Sequence, residues 1–320
     1  DDYFYPYRES RTTVRRVKKK KVRVTREIEF ADNRSWQRYG VAKGWTNRDS
    51  WRRANIDDFI RSLYQEVKAT KPSVLVGISP FGIWRSGTPS GVTGLDAFSE
   101  IYADARRWLT EGWVDYLAPQ LYWEVSGVQN RFRVLDSWWR TQNPLGRYIW
   151  PGIYTSHVYG GSDPWPATEI ETQIATIRDA RNGTPDVPGH IHFRLSALFA
   201  DNDRIAGQIA PEYVERALVP AFPWLGGVAP ASPVVAAVST DGPPAFTIAA
   251  GDTIPVRWWL IQARGKDGVW TTNLRPASIG QMSLDLFGGA APDEIAVSAV
   301  GPTGAASPPS ILAFGAAVGR

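Results

Sequence analysis

The chain contains no cysteine, which excludes disulfides, thiolate metal sites and cysteine nucleophiles. That absence excludes chemistry, not a compartment. Histidine is nearly as scarce: His157, His190 and His192 are the only three, too few for a multi-histidine metal centre, and no cofactor or metal is expected. No window approaches the roughly 18 apolar residues of a membrane span, and residues 1–30 show no signal-peptide pattern. No glycine-rich phosphate loop follows any predicted strand, which argues against a nucleotide-binding fold.

Tryptophan, by contrast, is abundant, with 15 Trp beside 12 Tyr. Both offer flat apolar faces with a polar tip, suited to core packing and to stacking against sugar rings. The 320 residues leave room for about two domains. The net charge of +4 conceals a local imbalance. Residues 8–26 hold ten Lys or Arg and one acid, a segment charge of +9 that leaves −5 for the remainder. Val14, Val17, Val22 and Val24 lie among these basic residues, which reads as a basic β-ribbon or a solvated, disordered insertion over residues 8–29.

From Asn47 onward the pattern becomes regular. Asn47 or Asp49 can cap a helix running to Lys68, with Ile56, Phe59, Ile60, Leu63, Tyr64 and Val67 at helical spacing. Further helices are predicted over 95–111, around 131–140, over 168–180 with a capping box from Thr168 to Glu171, and near 204–218. Strands are predicted over 73–83, 113–118, 147–154 and 189–199. Strict alternation predicts an α/β fold with a parallel sheet and right-handed crossovers. Four strand–helix units and a leading strand tip make about half of an eight-stranded barrel, which typically needs ~250 residues. After Trp224 a Pro/Gly/Ala-rich linker, 226–232, leads to residues 233–320, which read as a β-sandwich with its clearest strands at 253–261 and 293–300.

The stretch that organises the chain is EGWVDYLAPQLYWEV, residues 111–125. An apolar run of the length of a buried parallel strand gives way to Pro119, Gln120, Tyr122, Trp123 and Glu124. These place an amide, a phenol, an indole and a carboxylate at the C-terminal end of the strand, the edge where α/β folds bind ligands. Asp115 lies early in the strand and reads as structural.

Together DDYFYPY, RANIDDFIRSLYQEVKATKPSVLVGISPFGIWR, GLDAFSEIYADARRWLTEGWVDYLAPQLYWE and ALVPAFPW resemble the family-10 glycosyl-hydrolase-like barrel proteins of bacteria. The resemblance covers nearly all of residues 1–225, and EIAVSAVGPTGAASPP resembles the last strands of the fibronectin-type-III-like domain that often follows this barrel. It implies a (β/α)8 TIM-type barrel, a location in the cell envelope, periplasm or medium, and hydrolysis of a bacterial polysaccharide, with peptidoglycan glycan strands one candidate. In the family a segment like DDYFYPY closes the fourth barrel strand, so the resemblance implies that only the C-terminal half of the barrel is present, with exposed edges that favour self-association and little activity for this chain alone. Two departures stand out. The basic insertion is longer and more charged than the family pattern, and Arg194, Leu195 and Ser196 stand where Ser-Met-Lys is expected.

Glycoside hydrolysis usually needs two carboxyl groups across the scissile bond. The resemblance places Asp1 and Asp2 at the catalytic face, and adjacent strand residues point to opposite sides, so one of them is expected to face the bond. Glu124 is the partner acid visible at the tip of the organising strand. Gln120 and Tyr122 are suited to sugar hydroxyls. Tyr3, Tyr5, Trp84 and Trp123 are candidates for stacking on sugar faces, and Arg85 for an acidic sugar substituent. His192 reads as a satisfied core histidine. A non-catalytic carbohydrate-binding or scaffold protein is the alternative to a hydrolase, and nucleic-acid binding through Arg11–Arg26 is a third, weaker reading.

Overall fold

The computed structural model describes residues 1–2, 4–17, 20–158, 160–179, 189–238, 245–284 and 292–314. The chain is a mixed α/β protein that divides into two compact units, Asp1–Ile209 and Ala210–Arg320. Residues 210–225, expected with the first domain, fall in the second unit.

The first unit is built on short parallel strands. β1 (Ser10–Val17) and β2 (Lys20–Glu27) form a separate antiparallel ribbon. The parallel strands are β3 (Gly77–Ile78), β4 (Tyr116–Leu117), β5 (Tyr148–Ile149), β6 (Gly152–Ile153) and β7 (Ile191–His192), ordered β3-β4-β5 and β6-β7. β5 and β6 follow one path broken at Pro151, so four strand paths lie side by side. The register pairs Gly77 with Tyr116 and Tyr116 with Tyr148. Three residues further on, Pro80, Pro119 and Pro151 therefore share one level. None of the three has an N–H to give, but each carbonyl accepts from the next strand: Gln120 N–H to Pro80, Gly152 N–H to Pro119 and Ile191 N–H to Pro151, at 3.0, 2.9 and 2.9 Å. This proline row is why the strands are much shorter than the apolar runs that encode them.

One face of this sheet is dry. Ile78, Leu117, Leu121, Ile149 and Ile153 are buried in a core with Ile56, Ile60, Trp108, Phe132, Leu135, Trp139, Ile170, Ile174 and Ile177 from the surrounding helices. The other face carries Tyr116 and Trp150 and then, toward the C-terminal ends, Gln120. Gly77 and Gly189 are obligatory on that side. A Cβ on either would lie 2.0 Å from the Tyr116 ring or 2.5 Å from the Trp150 ring.

The helix Arg48–Thr70 starts as its sequence predicts, with the Asn47 side chain accepting from Ser50 N–H at 2.8 Å. Its buried face is rotated from the expected one. Trp51, Arg52, Ile56, Asp57 and Ile60 are buried, whereas Phe59 is 58% exposed and Leu63 is also exposed. Two polar residues take the place of two apolar ones because each has a buried partner, Arg52 on the Tyr102 hydroxyl at 2.6 Å and Asp57 on Trp108 Nε1 at 2.7 Å. The continuous helix expected over 95–111 is two short ones, Ala97–Glu100 and Ala105–Thr110. Tyr102 breaks it by taking a left-handed φ of 56°. Its buried hydroxyl donates to Asp49 at 3.0 Å and accepts from Arg52 and Arg8 at 2.6 and 3.1 Å.

Later helices are Arg131–Thr141, Ala167–Asp179, Leu195–Ala200 and Ile205–Ile209. Thr168 is not the cap expected of it; the helix begins one residue earlier, and Asp203 from a later turn accepts the Ala167 N–H at 3.0 Å. The strand expected over 189–199 ends at His192, and its second half is helical from Leu195. The helix expected over 204–218 stops at Ile209 and continues as a 3₁₀ turn at Ala210–Tyr213, where Pro211 interrupts the ladder.

The second unit contains two antiparallel sheets. One is ordered β12-β9-β8, from β8 (Val234–Val238), β9 (Ala245–Ala249) and β12 (Gln281–Ser283). The other is ordered β11-β10-β13-β14, from β10 (Trp258–Arg264), β11 (Trp270–Pro276), β13 (Glu294–Val300) and β14 (Ser310–Ala313). Phe246, Ile248 and Met282 of the first share a core with Trp259, Ile261, Ala263, Ile295, Val297 and Ala299 of the second. β10 alternates buried and half-buried residues, as a strand with one core face should. It starts later than the predicted 253 because Pro255 cannot donate to a ladder.

Candidate active site

The C-terminal ends of the parallel strands bring together residues far apart in sequence. One residue beyond the proline row, Phe81, Gln120 and Gly152 are bridged in parallel register. The Gln120 side chain is half-buried, and its amide Nε2 donates to the Asp1 carboxylate at 2.9 Å and to the Ser79 carbonyl at 3.1 Å. The same Asp1 oxygen accepts the Asp2 N–H at 2.9 Å. Two neighbouring acids are thus sorted by environment. Asp1 is exposed, whereas Asp2 is only 2% exposed and accepts a 2.6 Å hydrogen bond from the Tyr7 hydroxyl.

Two residues beyond Gln120, on the same face, the strand ends carry an aromatic row. Tyr122 stacks on Tyr154 with ring centroids 4.8 Å apart and meets Phe193 at 5.5 Å. Tyr154 stacks on His157 at 5.0 Å, and Trp165 closes edge-on over His157 at 4.6 Å. Tyr154, His157, Trp165 and Phe193 were not among the predicted site residues. A signal for Tyr154 does exist in the sequence. Tyr116 to Tyr122 reads YLAPQLY and Tyr148 to Tyr154 reads YIWPGIY, so each strand has proline at its fourth place and tyrosine at its seventh.

Behind this row Thr155 Oγ1 lies 2.6 Å from His192 Nδ1. Burial pushes the His192 imidazole down to about 4, so it is neutral at ordinary pH. The ring is hydrogen-bonded as a satisfied histidine should be, but half-buried rather than in the core.

Glu124 is exposed at the tip of its loop. The loop is held from below: Glu169 accepts the Val125 N–H at 2.8 Å, and Gln173, itself fully buried, donates to the Trp123 carbonyl at 3.3 Å and to Glu169 at 2.9 Å. Trp123 is half-buried, with Phe81 edge-on at 6.0 Å and Arg131 over its ring at 5.5 Å.

The remaining predicted residues are engaged elsewhere. Tyr5 packs edge-on against Phe30 and Tyr102 at 5.1 and 5.0 Å, with the Arg52 guanidinium 5.7 Å from its ring. Burial and the nearby Asp32 carboxylate raise the Tyr5 phenol above its usual range. Asp32 itself is held low, first by hydrogen bonding to Arg52, against the opposing effect of burial. Asp32 also pairs with Arg48. Trp84 stacks on Trp138 at 5.9 Å, donates its Nε1 hydrogen to Asp104 at 2.9 Å and has Arg106 over its ring. Arg85 lies over Phe98 at 4.8 Å with Asp96 at 3.8 Å. Tyr5 and Trp84 thus have ring faces covered by their own protein. Tyr3 lies outside the described residues.

Asp115, at the opposite end of its strand, is fully buried and accepts from Lys68, Tyr64 and the Val76 N–H at 2.6, 3.1 and 2.7 Å, a structural anchor as its early position predicted. Among the described residues no group of three His, Asp or Glu could hold a metal ion, and no helix is long and apolar enough to cross a membrane.

Glycosyl hydrolase YngK of Bacillus subtilis (strain 168) is 33% identical over 250 residues, 75% of this chain and 45% of the relative. Glycosyl hydrolase DigH of Escherichia coli (strain K12) is 34% identical over 175 residues, 52% of this chain and 39% of the relative. The chain spans less than half the length of either. The family described as glycosyl hydrolase-like 10 matches residues 1–161, the part that contains Asp1, Gln120 and the aromatic row as far as His157, and the chain belongs to that family.

Proposed function

We propose that this chain carries part of the catalytic centre of a glycoside hydrolase that cleaves O-glycosyl bonds in a bacterial cell-envelope polysaccharide, with peptidoglycan glycan strands one candidate. The observation that carries the reading is the Asp1 carboxylate set against the Gln120 amide at 2.9 Å, at the C-terminal end of a parallel strand. In this reading the four strand paths and their helices are one half of a (β/α)8 barrel, and the second unit is a fibronectin-type-III-like β-sandwich. The working location is the cell envelope, periplasm or medium.

Hydrolysis breaks the bond between the anomeric carbon and the bridging oxygen. One carboxylic acid protonates that oxygen as it leaves, and a second carboxylate either activates water or attacks the anomeric carbon. Asp1 is assigned a reacting role because Gln120 holds its carboxylate at the C-terminal end of the strand, and Asp2 a supporting one because it is buried on Tyr7. Gln120 orients Asp1, Tyr122 at the end of the aromatic row is the candidate sugar platform, and Glu124 is the candidate second acid. Trp123 and Arg85 remain candidates for the rim of the binding cleft.

The test is release of new reducing ends from purified peptidoglycan by the wild-type chain, Asp1→Asn and Glu124→Gln. Loss in Asp1→Asn with retained binding supports the assignment of Asp1, and loss in Glu124→Gln that of Glu124; equal release by all three proteins supports a site elsewhere.

A further inference from the structure

The ribbon β1–β2 is unusual in what it lacks. A two-stranded hairpin standing alone is marginally stable in water, and among the described residues this one pairs with no other sheet. Its register sets Arg11 opposite Arg26 and Arg16 opposite Lys21, like charges directly across the ladder, where they repel. Side chains alternate between the two faces. Arg11, Arg15, Lys20 and Arg26 share one face, and Arg16, Lys21 and Arg23 share the other. All seven are exposed, and among the described residues none meets a carboxylate. Glu27, the acid on β2, is taken by Arg8 at 3.1 Å.

The ribbon's root, in contrast, is fastened. Arg8 reaches Glu100 at 3.3 Å and the Tyr102 hydroxyl at 3.1 Å, and Ile28 N–H donates to the Glu9 carbonyl at 2.7 Å. Only Arg8 and Glu9 separate the ribbon from Tyr7, whose hydroxyl holds Asp2. An arm of eight residues per strand, about 26 Å long at ~3.3 Å per residue, thus leaves directly from the segment that carries the candidate acids.

We propose that this ribbon is a binding arm for an anionic glycan, a polysaccharide bearing carboxylate substituents, which it holds beside the hydrolytic site. The inference rests on the hydrolase reading for the polymer's identity. Charge on both faces suits a flexible polyanion that wraps the arm. Residues 10–27 contain no Phe, Tyr or Trp, so the arm has no platform for stacking bases, which disfavours single-stranded nucleic acid. Nor does it present a large apolar side chain for insertion into a lipid surface; its apolar residues are valines.

The experiment uses the full chain and the combined variant Arg15→Gln, Arg16→Gln, Arg23→Gln, Arg26→Gln, which leaves the Arg8 and Glu27 anchors in place. Affinity is measured for polygalacturonate, its methyl-esterified neutral form and a DNA duplex of matched charge, with circular dichroism confirming that both proteins are folded. Polygalacturonate affinity is expected to fall about tenfold or more in the variant. The wild-type complex should also weaken by at least that much from roughly 50 to 200 mM salt, as counterion release requires. The neutral polymer should bind both proteins equally weakly. Unchanged polygalacturonate binding by the folded variant overturns the proposal, and so does ribbon-dependent binding of duplex DNA that is tighter than that of the glycan. Reducing-end release is followed in parallel. Ribbon-dependent glycan binding with no hydrolysis by either protein supports the arm and sets aside the hydrolase reading.

Discussion

The Asp1 carboxylate accepts a 2.9 Å hydrogen bond from the Gln120 side-chain amide, joining the first residue of the chain to the C-terminal end of a strand near its middle. The amide is itself fixed by the Ser79 carbonyl on the neighbouring strand path, so the position of the acid is set by the parallel sheet.

Gln120→Leu should therefore lower kcat/KM without unfolding the protein. A hydrogen bond to a charged group contributes about 1.5–3 kcal/mol, so a loss of roughly 10- to 100-fold is expected, with KM for a short oligosaccharide changing much less. Steady-state kinetics and a thermal melt of the same preparation check both halves. A fall in Tm of many degrees with parallel loss of binding would make Gln120 a structural residue only.

Tyr7→Phe tests the sorting of the two acids. It removes the hydroxyl 2.6 Å from a carboxylate that is almost wholly buried. Urea denaturation should show a loss of about 1–3 kcal/mol, the range for a buried group left short of a partner. No change in the midpoint would show that water replaces the hydroxyl and that Asp2 is not held by it.

The sheet's close approach at Gly82 gives a stability prediction with an internal control. A Cβ there would lie 2.3 Å from the Gln120 carbonyl oxygen, part of the backbone that positions the site. Gly82→Ala should destabilise by about 1–3 kcal/mol or more and reduce activity. Gly207→Ala, in the helix Ile205–Ile209 with nothing within 4 Å of the added carbon, should be neutral or stabilising by up to about 1 kcal/mol. Equal effects at the two positions would contradict the packing described here.

Much of the fold was legible because its signals are local. The Asn47 cap, the alternation of helices and strands, and the polar tip of the organising strand all follow from neighbouring residues. What was not legible depends on partners remote in sequence. The break at Tyr102 needs Arg52, Asp49 and Arg8, between 50 and 94 residues away, to receive its hydroxyl. Phe59 fits a helical stripe as well as Ile60 does, and only the buried partners of Arg52 and Asp57 choose the face. Trp84 sits beyond a strand end, where an indole could stack on a sugar, but Trp138 and Asp104 already engage it. The aromatic row was missed for the converse reason. Of that row only Tyr122 was expected; Tyr154 and Phe193 mean little singly, and the parallel register is what brings them onto Tyr122.

His192 gives the pH prediction. Its folded value is depressed to about 4 from an ordinary value near 6.5. As pH falls below about 6.5 the unfolded chain takes up a proton that the folded chain resists, so stability is lost down to about pH 4, where both forms are protonated. For a half-buried ring the loss is on the order of 1–3 kcal/mol. Denaturation midpoints of wild type and His192→Gln should converge or cross between pH 7 and pH 4. Parallel curves would show that His192 does not contribute to acid sensitivity.

The central claim is that Asp1 takes part in cleaving a glycan, and the most direct measurement is reducing-end release from purified peptidoglycan by wild type and Asp1→Asn over long incubation, with binding followed by co-sedimentation. The account predicts measurable release by wild type, slow because this chain is proposed to hold half of the barrel, and a fall of about a hundredfold or more in Asp1→Asn with binding unchanged. Release that persists undiminished in Asp1→Asn would contradict it.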